Sequence, residues 1–468
     1  MNKRYLSALL VAFSVITSAQ EVMTSSEASG PELLTLEQCR ELALKHNKEM
    51  AAAYRQTQAA HHTMKSYLGN FFPDFSLTGM GLYSTADGNL GIPGGHLPTF
   101  SPNPSNPAQL APNGGFAYFL GFNLKYKIGW MYTGGVQVEQ PIYLGGKIRA
   151  AYKMSQLGKE MAQLNETLTA TEVILRTEQA YAQVVKAGEM QKVATTYHAL
   201  LEELQKTVDN AHKHGLKPQN DVLKVMVRLN ESELSLRKAE NALRLASMNL
   251  CHLIGKPLHT SISVSENLPA IHSQSMPSAA DITSRPEYAI LNQQTAIAKQ
   301  KVRLERSELL PKIGVRASYD YIYGLDVNDS PFFDQGGFTA LLNVSVPLFH
   351  FGQRVHKVKA AKAQWEQTRL EQENLNEQML LELTQAANNL DEARLESELA
   401  ERSLQQAEEN MRVSRKQYEV GLETLTDHLE AQALWQQAYE AKVDTHFQHY
   451  LAHIAYLKAA GQLINTQK

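Results

Sequence analysis

Asp427 and Glu430 stand three residues apart, just beyond a Val420-Gly421-Leu422 turn. On a helix that spacing sends both carboxylates off one face. Read alone, they are acids at a solvated helix start, where the macrodipole favours negative charge. His446, His449 and His453 also share one helical face, and His212 and His214 flank an earlier turn at Gly215. Imidazoles suit Zn²⁺ or Cu²⁺. Positions i, i+3 and i+7 span two turns, too far apart for one ion, so packed or surface histidines are the better reading. Gly145-Gly146-Lys147 lacks the rest of a phosphate-cradling loop, and the chain shows no HExxH, dinucleotide fingerprint or catalytic triad. Cys39 and Cys251, the two cysteines, fall near the ends of expected helices. They could pair in an oxidising compartment, with two buried thiols as the simpler alternative. A hydrolase needs converging titratable groups, and the sequence supplies none. No enzyme activity and no cofactor are expected.

The element that carries the acid pair is a proline-free helical run from about Gly352 to Tyr418. Small and large residues alternate along it at steps of three and four: Leu383, Ala386, Leu390, Ala393, Ser397, Ala400, Leu404, Ala407, Met411, Ser414, Tyr418. That seam suits a close-packed, left-handed supercoil. The rod would be roughly 100 Å long at about 1.5 Å per residue, a length suited to crossing a distance.

The chain of 468 residues is 43% hydrophobic with a net charge of −3, an ordinary folded composition that gives no sign of nucleic-acid binding. Lys3 and Arg4, the apolar run Leu6 to Ile16 and the small residues Thr17-Ser18-Ala19 read as a secretory signal over 1–19. Residues 20–32 follow as a loose leader. No later apolar run approaches a membrane-spanning helix, so a spanning form must be a closed β-barrel.

In order, a helix is expected from Leu34 to about Gly69, opened by a Thr35/Gln38 capping box. A strand over 75–83 follows. Residues 84–116 hold six prolines, six glycines and one charge, Asp87, and read as an irregular loop. A second strand ends at Pro141, and helices run to about His214 and from Asn220 to Leu253. The plan then repeats. Leu310-Pro311 answers Phe72-Pro73 at an offset of 238; Val346-Pro347 answers Gln140-Pro141, and Gly421, Asp427 and Gly461 answer Gly215, Asp221 and Gly255, at an offset of 206. The units are 33–255 and 285–462, joined by a linker over 256–284 and followed by a tail, 463–468.

Each unit supplies two strands, and four are too few to close a barrel, so several copies must share one. Alternation gives a lipid-facing set of Val315, Ala317, Tyr319 and Tyr321 with Leu342, Val344, Val346 and Leu348, against Arg316, Ser318, Asp320, Leu341, Asn343 and Ser345. Tyr319, Tyr321 and Tyr323 suit the membrane interface.

The mature chain resembles the TolC-like outer membrane efflux proteins of Gram-negative bacteria over essentially its whole length. The carrying stretches are Leu34-Thr35-Leu36-Glu37-Gln38, Leu309-Leu310-Pro311, Gln140 to Lys147, Val346 to Gly352, and Tyr418-Glu419-Val420-Gly421 followed by Asp427. The resemblance implies a mixed, mainly α fold: a homotrimer sharing a twelve-stranded transmembrane barrel in outer membrane lipid, continued by an α-helical tunnel through the periplasm. It implies a passive outer membrane channel of a tripartite efflux system. A periplasmic adaptor would dock at the turns Gly215-Leu216 and Gly421-Leu422, and an inner-membrane RND or ABC transporter would drive transport. Multidrug efflux leads, ahead of protein secretion and metal-ion extrusion; a secreted coiled-coil scaffold or adhesin is the alternative of another class.

The resemblance also gives the acids a role. Carboxylates at the positions of Asp427 and Glu430 narrow the periplasmic end, and three copies would ring the passage with negative charge that attracts cations and that multivalent ions would plug. The family prototype closes its tip with an arginine at the position of Glu423, paired to an acid like Asp221. That arginine is absent here. Lys217 and Glu423 occupy equivalent places in the two turns, so a reversed pair is expected, with Tyr418 at the same level.

Overall fold

The computed structural model describes residues 32–265, 268 and 282–464. The expected signal, nearly all of the leader, most of the linker and the end of the tail lie outside them. A short strand, β1 (Glu32–Leu34), precedes α1 (Leu36–His46) and α2 (Lys48–Gly69). The capping box forms: Thr35 Oγ1 accepts from the Gln38 N–H at 3.3 Å, and Gln38 Oε1 accepts from the Thr35 N–H at 3.0 Å. The single helix expected here is two. Asn47, at ψ 133°, breaks it. Its side chain accepts from the Glu49 N–H at 2.8 Å and donates to the Leu253 carbonyl at 3.2 Å, so one residue ends the first helix, caps the second and ties both to the next hairpin.

Next come β2 (Asp74–Ile92), β3 (Gly95–Asn103), β4 (Asn106–Phe119) and β5 (Phe122–Leu144). The stretch expected as an irregular loop is therefore ordered. Strand β2 continues to Ile92, β5 starts at Phe122, and β3 pairs with β4 as a separate ribbon. The prolines mislead there because a two-stranded ribbon has outward positions whose N–H makes no ladder bond.

The helices α3 (Lys147–Lys213) and α4 (Gln219–Leu253) form a long hairpin. Then follow β6 (Ile262–Val264), α5 (Pro286–Ser307), β7 (Lys312–Val327), β8 (Ser330–Ser345), and a second hairpin of α6 (Gln353–Glu419) and α7 (Leu425–Ala459). The duplication extends to element length: α3 and α6 have 67 residues each, α4 and α7 have 35, and α2 and α5 have 22.

Helix α3 packs on α1, α2, α4, α5 and α7, while α6 packs mainly on α5 and α7 and meets α3 near the turns, where Leu404 joins Leu201 and Leu204. Accordingly α3 buries twenty residues and α6 only seven. Every seam position from Leu383 to Tyr418 is nonetheless buried or half-buried. Midway along the rods, β1 pairs with β6 over a core containing Cys39, Ala43, Tyr181 and Leu250. Cys39 and Cys251 are buried thiols, not a disulfide. A buried ion pair crosses this level: Arg40 Nη2 lies 2.5 Å from Glu178 Oε1, and Tyr450 Oη donates to Glu178 Oε2 at 3.2 Å. Arg285, also buried, bridges Glu287 at 3.1 Å and Glu382 at 2.8 Å.

Strands order as β2-β5-β7-β8, all antiparallel. Register places Leu77, Val136 and Tyr319 in one row with Phe338, while the next row on the other face is Ser76, Gln137, Ser318 and Thr339. One face is thus apolar and one polar, as alternation requires of a barrel wall. Tyr132 and Tyr323 stack 4.9 Å apart on the apolar face, and Tyr83 sits 5.1 Å from Trp130. The expected wall residues Val346 and Leu348 lie beyond the strand, which stops at Ser345 before Pro347. Among the described residues no helix is long and apolar enough to cross a membrane.

Candidate channel tip

Both hairpins turn at a left-handed glycine, Gly215 at φ 76° and Gly421 at φ 79°. Leu216 N–H donates to the Ala211 carbonyl at 2.9 Å and Leu422 N–H to the Gln417 carbonyl at 2.8 Å, closing the orphan carbonyls of α3 and α6. Leu216 and Leu422 project outward and are exposed.

Thr424 caps α7. Its Oγ1 accepts from the Asp427 N–H at 3.2 Å and donates to Asp427 Oδ2 at 2.7 Å. Asp427 and Glu430 are both exposed, whereas His428 and Leu429 between them are buried. The acid pair thus shares the outward face of the first turns of α7. In the first unit Pro218 precedes α4 without a side-chain cap, Asp221 is half-buried, and Lys224 Nζ donates to Thr426 Oγ1 at 3.3 Å.

The reversed pair expected from the sequence does not form within the chain. Lys217 Nζ instead lies 5.0 Å from the centre of the Tyr418 ring, a cation–π contact. Glu423 Oε1 accepts from Ser414 Oγ at 3.0 Å, and its Oε2 is buried without a hydrogen-bond partner. Burial raises the Tyr418 phenol, and nearby Asp221 adds to that.

Sequence reasoning missed what lies beneath Tyr418. His428 stacks on it, and Gln432 Nε2 donates to His428 Nε2 at 3.1 Å. The other ring nitrogen then carries the proton and donates to Ser414 Oγ at 3.1 Å, which donates onward to Glu423. A hydrogen-bond chain therefore runs from Gln432 through the buried His428 and Ser414 to Glu423, which accepts at its end. Burial lowers the His428 pKa; Glu423 opposes this, Arg415 adds to it, and Glu419 opposes it. The signal was present in the repeat. At an offset of 206 the first unit has Val208, Val222 and Met226 where the second has Ser414, His428 and Gln432.

His446, His449 and His453 lie along α7, and among the described residues no group of three His, Cys, Asp or Glu could hold a metal.

A four-stranded wall with one apolar face, standing on two paired helical rods that end in tight turns, is the architecture of an outer membrane channel chain with a barrel wall and a helical tunnel. Solved structures agree on the fold. The chain resembles the CmeC outer membrane channel of Campylobacter jejuni (19% identity, 91% of this chain and 85% of that one, TM-score 0.74). It also resembles the outer membrane protein VceC of Vibrio cholerae (18% identity, 91% and 96%, TM-score 0.71) and the open MtrE outer membrane channel of Neisseria gonorrhoeae (15% identity, 92% and 89%, TM-score 0.70). No curated protein sequence matches. The sequence pattern of the outer membrane efflux proteins matches residues 39–256 and 283–462, and the chain belongs to that family. It is an outer membrane channel of tripartite efflux systems.

Proposed function

We propose that three copies close a twelve-stranded barrel and a twelve-rod tunnel, with Asp427 and Glu430 forming a cation-preferring constriction at the periplasmic end. The two edge strands β2 and β8 run in opposite directions, so β8 of one copy meets β2 of the next in the antiparallel sense used throughout the sheet. The bare flank of α6 is covered by the same operation. The observation that carries the constriction is the paired exposure of Asp427 and Glu430 on one face while His428 and Leu429 turn inward. Six carboxylates around a narrow threefold axis favour cations and bind multivalent ones.

Lys217, Tyr418 and Asp221 form the neighbouring gate, and Glu423 belongs to the buried chain behind it. A periplasmic adaptor docks at Gly215-Leu216 and Gly421-Leu422, where the exposed leucines offer apolar contacts, and an inner-membrane RND or ABC transporter supplies the energy. Drug-like small molecules are the favoured cargo. The test is planar-bilayer recording of wild type against the double variant Asp427→Ala, Glu430→Ala. The variant should lose cation preference and block by multivalent cations. Unchanged selectivity and block would remove these acids from the constriction.

A further inference from the structure

Strands β3 and β4 form a hairpin that the barrel wall does not need. The β2/β5 ladder runs on to Ile92 and Phe122, past the end of the β7/β8 ladder at Val327 and Ser330. There two glycines cross closely: a Cβ on Gly121 would meet the Gly94 nitrogen at 2.4 Å and the Ile92 carbonyl oxygen at 2.7 Å. Only glycine allows that approach. It marks the point where the ribbon leaves the wall.

Pairing puts His96, Phe100, Leu110, Phe116 and Tyr118 on one face of the hairpin with three prolines. His96 makes edge contacts with Phe116 at 6.3 Å and Tyr118 at 5.3 Å. Phe100, Leu110, Phe116 and Tyr118 each remain more than half exposed. The only charge between residues 84 and 124 is Asp87. An uncharged aromatic face of this kind marks an interaction surface.

Lipid is a poor occupant. The aromatic pair Tyr83 and Trp130 marks the interface level, with Tyr126, opposite Gly88, one level farther out. From Tyr83 to Ile92 the strand climbs about 20 Å, at ~3.4 Å per residue and a tilt of ~40°. The hairpin therefore begins above the hydrocarbon. Twelve strands spaced ~4.8 Å apart at that tilt enclose a barrel of radius about 12 Å. The nine residues of β3 extend for roughly 30 Å, more than enough to reach the axis. The hairpin also continues β2, the edge strand at the junction between copies.

We propose that the three hairpins lean over the outer mouth and pack their aromatic faces on one another, forming a cap that narrows the exit. This rests on the trimeric reading above. The test uses full-length protein carrying Phe116→Cys, with Leu97→Cys on the opposite face as control; the native thiols are buried. Mild oxidation of purified trimers should yield covalent dimers from the first variant and not the second. Trimers of the Phe116→Cys variant whose introduced thiols react fully with a soluble maleimide and never crosslink would overturn the cap alone. A wild-type monomer would overturn the cap and the trimeric reading together.

Discussion

The rings of Tyr418 and His428 are stacked with centroids 4.9 Å apart and planes 2° from parallel. The contact joins the last turn of α6 to the first turn of α7, so it clamps the second hairpin where the acid pair emerges. Lys217, from the first hairpin, rests on the same Tyr418 ring. One phenol therefore links both turns of the chain.

Protonating His428 should loosen this clamp. The neutral ring accepts from Gln432 and donates to Ser414, and a charged ring can no longer accept. The folded pKa lies below the ordinary value of 6.5, mainly through burial. Its contribution is then fully present above about pH 6.5 and is lost as pH falls through the lowered folded value. Amide exchange over residues 411–432 should be several-fold faster at pH 5 than expected from intrinsic rates, relative to pH 7.5. His428→Phe, which keeps the stack, should abolish that difference. The idea fails if the variant and wild type respond to pH alike.

Glu308 holds the barrel to its stalk. It pairs with Lys147 at 3.0 Å and Lys312 at 2.6 Å, and its own carbonyl accepts from Arg354 at 2.6 Å. Hydrogen bonds from Lys312 and Lys147 lower its pKa to about 2. A depressed carboxylate stabilises above its unfolded value near 4.5 and loses that effect as pH falls towards about 2. Glu308→Gln should cost about 1 kcal/mol at pH 7, since the lysines are partly exposed. Thermal melts at pH 7 and pH 3 check this: the gap between variant and wild type should shrink at the lower pH.

Arg40→Ala should be more damaging. Glu178 is 1% exposed, and burial already raises its pKa against the pull of Arg40. Removing the guanidinium strands a buried carboxylate, at a cost of about 3 kcal/mol. Glu178→Gln removes the charge instead and keeps an acceptor for Tyr450, so its cost should be about half as large. Circular-dichroism melts in detergent rank the two; equal losses would show that packing rather than charge decides.

Much of the architecture was legible because it is periodic. The Leu383-to-Tyr418 seam, the glycine turns and the offset of 206 follow from spacing alone, and spacing survives where individual residues drift. The misreadings fall where one residue overrides a pattern. Asn47 breaks a helix that its neighbours would continue, because its side chain finds the Leu253 carbonyl across a gap of 206 positions. The six prolines between Ile92 and Phe122 suggested a loop, but four of them sit in the strands of a ribbon whose outer positions need no N–H. At the tip, Asp427 and Glu430 could be placed on one face from their spacing. The stack of Tyr418 on His428 could not, since it depends on a hairpin closing to bring positions ten apart into register.

Everything else rests on three chains sharing one wall. The polar and apolar faces of β2-β5-β7-β8 make sense only in a closed barrel, and a single chain leaves two open edges. The mass of the folded protein in detergent, measured by light scattering with the detergent contribution subtracted, tests this directly. Three chains per particle are expected. A folded, stable particle containing one chain would contradict it.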